Sequence, residues 1–260
     1  MRLIFSRFWL LTIISLLLSL SIGVINPQTS FALSWMDLLF RGVQVIQLST
    51  ISPQQEVAIG GQINQGLLES GKVKLSKDAR INQYVQEIGQ RLAATSDRPD
   101  LPYTFQVVRD NSINAFATMG GFVYLHTGLI KTADNEAELA SVIAHEIGHI
   151  VGRHSIAQLR NTALAQGLLS AAGLETKTWV QLAVNLAYSL PNSRKDELEA
   201  DRLGLKNLDR AGYEPTAMIS FMRKLAQQGG GGSTPTILST HPATSDRIVA
   251  LQKQLNSVNN

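Results

Sequence analysis

The sequence predicts an α+β domain that is mainly helical, and three observations support this. Several segments show the i, i+3, i+4 hydrophobic spacing of amphipathic helices. Two short stretches of β-favouring residues, Tyr103–Val108 and Phe122–Leu125, lie between the helical segments. The sequence contains no internal repeat. Two short strands among many helices are typical of an α+β layout.

Residues 1–32 have the pattern of an export signal. Two arginines precede an apolar run at residues 8–24, and Ser30–Ala32 offers a small-residue cleavage site. The run is nearly long enough to span a bilayer, so an uncleaved N-terminal anchor with membrane association through residues 8–24 is the alternative. In both cases we expect residues 33–260 to form one domain in the periplasm or another extracytoplasmic compartment.

Composition excludes several classes of protein. The 260 residues include no cysteine, which excludes a disulfide framework, a lipid-modified cysteine, thiolate metal ligands and a cysteine nucleophile. Residues 1–32 hold Arg2, Arg7 and no acidic residue, so without them the 23 basic side chains become 21 against 20 acidic ones. The near-neutral remainder gives no reason to expect nucleic acid as a partner. Because the chain has no cysteine, any metal site must use His, Asp or Glu.

Two helices are expected before the strands. The first covers about Gln54–Ser70, where three glycines weaken the pattern. The second covers Asp78–Thr95. Its predicted buried stripe consists of Ile81, Tyr84, Val85, Ile88 and Leu92. Pro102 then ends helical structure, and the two strands are expected to form a hairpin. The pair Gly120–Gly121 at the start of the second strand favours a close approach by another backbone.

The remaining helices are predicted from their first residues and breakers. Asn135, with Glu138 three residues later, forms the N-cap signal of a helix with a broad apolar face. Residues 156–190 predict two helices that break near Gly173–Lys177. Further segments complete the chain: a helix from Arg194 to about Ala211 behind Ser193, a helix near Thr216–Gln227, a flexible loop at 229–233, and a last helix containing Ile248, Leu251 and Leu255.

The strongest chemical signal is the motif His145-Glu146-Ile147-Gly148-His149, within the helix that Asn135 begins. Histidines four residues apart project from one helix face, so both imidazoles can bind one ion. Zinc accepts such nitrogens at about 2.0–2.1 Å. Glu146 is then the expected catalytic base, which takes a proton from a zinc-activated water and passes it to the leaving amine. A chance motif would bury these polar groups without a partner, at a cost. We therefore expect one Zn²⁺ per chain.

Two candidates exist for the third metal ligand. The extended motif H-E-x-x-H-x-x-G-x-x-H fits Gly152 but requires a histidine where Ser155 stands. His154 is one residue early, a slip that turns a helical side chain by about 100°. The other candidate is Glu197, four residues before Asp201 on a later helix face. We favour Glu197 as the ligand, with Asp201 accepting the free ring N–H of a ligand histidine.

These motifs together resemble the CAAX prenyl protease type I family of gluzincin zinc metallopeptidases, which includes the HtpX and BepA proteases. The resemblance covers about residues 52–255 and includes the Glu-Leu-Ala sequence before the first histidine. It implies a zincin-type fold with Glu197 as third ligand, and an edge strand near Gly120–Leu125 that faces the cleft and pairs with extended substrate. The substrate-binding residues that it implies are Asn114, Ala115, Phe116, Gly120, Gly121, Phe122 and Val123.

The same resemblance places His241 and Arg247 near the active site. His241 could stabilise the oxyanion or cap the metal in a resting state, and Arg247 could bind substrate carbonyls or developing negative charge. Alternatively, His241-Pro242 is a helix-start turn and Arg247 is a surface charge. His126 and His154 are expected to be ordinary residues, one at a strand end and one at a helix end near its C-terminal dipole.

The sequence therefore predicts an exported zinc endopeptidase that cuts unfolded or damaged envelope polypeptides in protein quality control. Processing of prenylated proteins is not expected, because only residues 8–24 could span a membrane. The alternative is a zinc-containing chaperone or binding protein with low or latent proteolytic activity. The intact Glu146 favours the enzyme, since binding alone would not require it.

Overall fold

The computed structural model describes residues 51–166, 176–187, 192–228, 235–242 and 245–258. The expected signal or anchor and the expected loop at 229–233 lie outside these ranges, as does most of the helix break near residues 173–177, so these stay predictions. Within the described ranges, no helix is both long and apolar enough to cross a membrane.

The described residues form ten helices and three strands. In chain order these are α1 (Pro53–Glu69), α2 (Ala79–Thr95), β1 (Thr104–Val108), β2 (Ala115–Thr118), β3 (Phe122–His126), α3 (Thr127–Thr132), α4 (Glu136–Val151), α5 (His154–Ala165), α6 (Thr176–Leu186), α7 (Arg194–Arg210), α8 (Thr216–Gln228), α9 (Ile237–Thr240) and α10 (Ser245–Val258). The predicted α+β class, mainly helical with a small sheet, is confirmed. The short helices α3 and α9 were not predicted.

The two helices that carry the main motifs begin at the predicted capping residues. Asn135 Oδ1 accepts the backbone N–H of Glu138 at 3.0 Å before α4. Ser193 Oγ accepts the backbone N–H of Asp196 at 3.2 Å before α7. Each cap satisfies a backbone donor that has no partner within the helix, and such a cap is worth about 1 kcal/mol. The start of each helix is therefore set by local sequence.

The sheet differs from the predicted hairpin. Its strand order is β1-β3-β2, with β1 parallel to β3 and β2 antiparallel to β3. The expected hairpin between the first and second predicted strands is wrong, because the unpredicted strand β2 lies between them in the chain and pairs with β3 instead. The expected edge strand near Gly120–Leu125 is also wrong: β3 is the central strand, and β2 is an edge.

The turn between β2 and β3 packs tightly on α1. Gly120 and Gly121 have φ values of 82° and 95°, in the left-handed region that favours glycine. A Cβ atom on Gly60 of α1 would lie 2.2 Å from the carbonyl oxygen of Met119. The predicted close approach of another backbone to the glycine pair is confirmed.

Helix α4 lies in the core, against α2, α7, α8 and β2. Its closest partner is α7: a Cβ atom on Gly148 would lie 2.5 Å from the carbonyl oxygen of Ala200. On the opposite helix, a Cβ atom on Gly204 would lie 3.0 Å from the carbonyl oxygen of Ala144. The two glycines let the helix backbones touch, which brings the polar face of α7 directly beside the two histidines of α4.

The predicted buried stripe of α2 needs one correction. Val85, Ile88 and Leu92 are buried, and Ile81 packs against the core. Tyr84 is instead 38% exposed. Its neighbour Val85 takes the core-facing position, so the stripe is narrower than predicted.

Candidate metal centre

Four buried side chains converge between α4, α7 and the segment after α9. The ligand atoms of His145, His149, Glu197 and His241 lie within 4.8 Å of one another. His145 Nε2 lies 3.1 Å from His149 Nε2 and 3.5 Å from Glu197 Oε2. His149 Nε2 lies 3.3 Å from Glu197 Oε1. A tetrahedral zinc site with bonds of about 2.0–2.1 Å has ligand atoms about 3.3 Å apart, so the group fits a zinc ion.

His241 is the fourth member of this group. Its Nδ1 lies 3.3 Å from His145 Nε2 and 3.0 Å from Glu197 Oε1. Its Nε2 lies 3.7 Å from Glu146 Oε1. The imidazole therefore stands between the three expected metal ligands and the expected base. Its Nδ1 faces the ligands, and its Nε2 faces Glu146.

The two glutamates of the centre, Glu146 and Glu197, differ in how readily they ionise. Burial raises the pKa of Glu146, and among the described residues neither of its carboxylate oxygens has a hydrogen-bond partner. Burial also disfavours ionisation of Glu197, but the imidazoles of His241, His145 and His149 outweigh it and lower the pKa of that carboxyl well below its usual range. Glu197 is therefore an anion suited to a cation, whereas Glu146 is a poised proton acceptor.

The two α4 histidines have opposite electrostatic surroundings. Although burial opposes protonation of His145, its contacts with Asp201 and Glu197 raise the pKa to about 10. Burial lowers the pKa of His149 to about 3. The carboxylates thus favour positive charge beside His145, and a cation held by this group would supply it while leaving both imidazoles neutral.

Asp201 and Arg247 lie behind the ligand group. Asp201 Oδ1 is 3.0 Å from His145 Nδ1, the ring nitrogen that faces away from the other ligands. Arg247 of α10 donates two hydrogen bonds to Asp201 and pairs with Glu197 as well. Arg247 is only 4% exposed, so the alternative of a surface charge is wrong. It therefore holds the carboxylates of Asp201 and Glu197 in place.

The edge strand β2 forms one wall of a pocket that reaches the metal group. Phe116, Ala117 and Thr118 line this pocket together with Glu146 and His149. Other expected substrate-binding residues lie elsewhere: Asn114 and Ala115 are buried, Gly120 and Gly121 form the turn, and Phe122 and Val123 belong to the central strand. Sequence reasoning missed the pocket-lining residues Met119, Ser155, Asn192 and Thr240.

Comparison with known proteins agrees with this geometry. Residues 79–255 match the model of peptidase family M48, and this match covers more than half of the chain. The chain belongs to peptidase family M48. The expected family is thus confirmed, and with it the zinc cofactor and the metallopeptidase class.

Several relatives of this M48 chain carry informative names. A beta-barrel assembly-enhancing protease of Escherichia coli strain K12 is 33% identical over 259 residues, 94% of this chain and 52% of that protein. The mitochondrial metalloendopeptidase OMA1 of Schizosaccharomyces pombe is 34% identical over 176 residues, 66% of this chain and 52% of that protein. The chain spans about half the length of these curated relatives.

The two remaining histidines of the M48 domain differ from each other. His126 ends β3 as predicted, with its Nδ1 2.8 Å from Ser112 Oγ. The predicted position of His154 near a helix C-terminus is wrong, because this histidine is the first residue of α5. Its Nδ1 lies 2.8 Å from His149 Nδ1, so it contacts an expected ligand from outside the group. The sequence signal that could have revealed this contact is a histidine two residues after Gly152, the residue that caps α4.

Proposed function

We propose that this chain is a zinc endopeptidase in which His145, His149 and Glu197 hold one Zn²⁺ and Glu146 is the catalytic base. One observation carries the proposal. The two imidazole Nε2 atoms and the nearer Glu197 carboxylate oxygen of each stand 3.1–3.5 Å apart, at the spacing of a tetrahedral zinc site. Beside them, the carboxylate of Glu146 lines a pocket that reaches the edge strand β2.

The chemistry follows from the surroundings of Glu146. Bound zinc supplies Lewis acidity, which makes a water molecule acidic enough to serve as a nucleophile near neutral pH. Burial raises the pKa of Glu146, so its carboxylate accepts a proton more readily than an exposed glutamate would. The protonated Glu146 then donates to the amine of the departing peptide. Asp201, within 3.0 Å of His145 Nδ1, accepts that N–H and keeps Nε2 free for the metal.

His241 has two proposed roles that this arrangement allows. Its Nδ1 lies within the ligand group, which supports a capping role in a resting enzyme. If the ring swings away to admit substrate, its Nε2 becomes available to stabilise the oxyanion. For Arg247 we propose a structural role behind the site in place of direct substrate binding, because its guanidinium already pairs with Asp201 and Glu197.

The proposed substrate is an extended polypeptide that adds to the edge of β2. Such main-chain pairing holds a peptide with little regard to its side chains, which suits unfolded or damaged proteins. The pattern of residues 1–32 supports export, and the name of the beta-barrel assembly-enhancing relative supports a role in envelope protein quality control. We expect no nucleic-acid partner. A mass measurement of the mature N-terminus separates signal cleavage from anchoring through residues 8–24.

The second candidate is a zinc-containing chaperone or binding protein with low or latent proteolysis. It is favoured by one observation, the place of His241 Nδ1 in the ligand group. Casein hydrolysis by the purified protein, with and without a chelator and with Glu146→Gln as control, separates the two. Chelator-sensitive cleavage that Glu146→Gln abolishes supports the endopeptidase. Stoichiometric zinc without such cleavage contradicts it.

A further inference from the structure

The chain passes from α4 to α5 through a two-residue turn. Gly152 caps α4, and Arg153 has φ of 56° in the left-handed region. A Cβ atom on Gly152 would lie 2.4 Å from His154 Nε2. Because Gly152 has no side chain, the imidazole of His154 can fold back over the end of α4.

Arg153 is held in this unusual conformation by a buried carboxylate. Its Nη2 donates to the carbonyl oxygen of Ile51 at 2.7 Å and lies 3.2 Å from Glu56 Oε2. Glu56 is 1% exposed and is also paired with Arg98, which donates to the carbonyl oxygen of Ile150 in the last turn of α4. The turn is therefore tied both to α1 and to the end of the metal-binding helix.

This turn brings the ring of His154 against that of His149. His154 is 4% exposed, and the two Nδ1 atoms are 2.8 Å apart. His149 Nε2 faces Glu197 and the other ligands, so it must keep its lone pair to bind a metal. Its proton then resides on Nδ1, which donates to Nδ1 of His154.

This assignment also determines the state of His154. If its Nδ1 accepts, the ring is neutral and carries its proton on Nε2. That nitrogen lies 3.7 Å from Glu199 Oε2 and 3.9 Å from Asp196 Oδ1, both on α7. The acidic side chains of α7 thus stand on the side where the N–H of His154 is required.

We propose that His154 is a positioning residue that fixes the tautomer and ring orientation of His149. The inference rests on the proposed function, in which His149 is a zinc ligand. The two ligand histidines are then supported differently: His145 by the carboxylate of Asp201, and His149 by a neutral imidazole. Loss of such an outer partner lowers metal affinity by about 10- to 100-fold.

The test compares zinc affinity with stability in the full chain. The variant His154→Phe keeps a ring but removes the acceptor, and zinc dissociation constants are measured by competition with a chelator. We expect affinity to fall by about 10- to 100-fold, and His154→Asn, whose amide oxygen can replace Nδ1, to recover much of it. The matched control is His126→Phe. His126 is also buried, but its ring contacts the hydroxyl of Ser112, so this variant is expected to lower thermal stability without changing zinc affinity.

The outcomes are distinguishable. If wild-type protein binds zinc and His149→Ala weakens it, yet His154→Phe binds zinc as tightly as wild type, the inference alone is overturned. If the wild type binds no zinc, or His149→Ala binds it equally well, the proposed function fails. Nitrogen-15 NMR of the zinc-loaded wild type gives a variant-free readout. A proton on Nε2 of His154 supports the assignment, and a proton on its Nδ1 overturns it.

Discussion

Asp201 and Arg247 form a buried pair in which two guanidinium nitrogens each donate to a different carboxylate oxygen at 2.7 Å. The pair stands directly behind His145 and links α7 to α10. Asp201 Oδ1 also lies 3.0 Å from His145 Nδ1, so one carboxylate contacts both the guanidinium of Arg247 and the imidazole of His145.

Removal of the guanidinium is expected to destabilise the protein strongly. Arg247→Met leaves the negative charge of Asp201 buried without its guanidinium and removes one of the partners of Glu197, which costs about 3–5 kcal/mol. Urea unfolding of wild type and variant measures this loss. The double variant Arg247→Met, Asp201→Asn is the control, and we expect it to be less destabilised than the single one. Unchanged stability in Arg247→Met would show that the pair is not a structural element.

Glu146→Gln is expected to separate zinc binding from catalysis. The amide preserves the shape of the side chain but cannot accept the proton of the nucleophile, so kcat should fall by about 10²- to 10⁴-fold. Zinc content should stay at one per chain, because Glu146 is not among the expected ligands. Elemental analysis and casein hydrolysis on the same preparation measure both. A variant with full activity would remove Glu146 from the mechanism.

Gly148→Ala tests the contact between α4 and α7. The added methyl group would lie 2.5 Å from the carbonyl oxygen of Ala200, so one backbone must shift, at a cost of about 1–3 kcal/mol. Since α7 carries Glu197, zinc affinity should fall together with stability.

Gly61→Ala in α1 is the matched control, since a Cβ atom there would meet nothing within 4 Å. Alanine is the better helix former, so this variant should be more stable by about 0.5–1 kcal/mol, with unchanged zinc affinity. Thermal unfolding and chelator competition give both values. Equal behaviour of the two variants would contradict the close helix approach.

Ala117→Pro tests the edge of β2. His126 N–H donates to Asn114 O, and hydrogen-bonded pairs alternate along antiparallel strands, so the N–H of Ala117 points away from β3. Proline there removes an outward donor without breaking the sheet. We expect kcat/KM on casein to fall by about the worth of one hydrogen bond, about 0.5–1.5 kcal/mol. Ala117→Val keeps the N–H and serves as control. An unaffected proline variant would argue against pairing of substrate with this residue.

Local signals predicted much of this molecule. The i, i+4 spacing of His145 and His149 and the caps Asn135 and Ser193 depend on neighbours within one helical turn, and sequence reveals such relationships. The pairing of β1 with β3 depends on residues far apart in the chain. The strand at Ala115–Thr118 has too little β-favouring composition to be recognised without its partner.

The positions of two further side chains could not be predicted for a related reason. The site-facing position of His154 depends on a left-handed Arg153, a conformation that is rare for arginine and is held here by Glu56. The burial of Arg247 depends on α10 packing against α7. Neither is a property of the local sequence.

The backbone contact between Gly148 and Ala200 has a consequence for biosynthesis. The two histidines are translated well before Glu197, and only docking of α7 brings this proposed anionic ligand beside them. Until then a nascent chain offers an incomplete, weaker zinc site. In the proposed function, hydrolysis therefore requires that α7 has docked on α4, so a chain in which this contact has not formed would lack an active peptidase site.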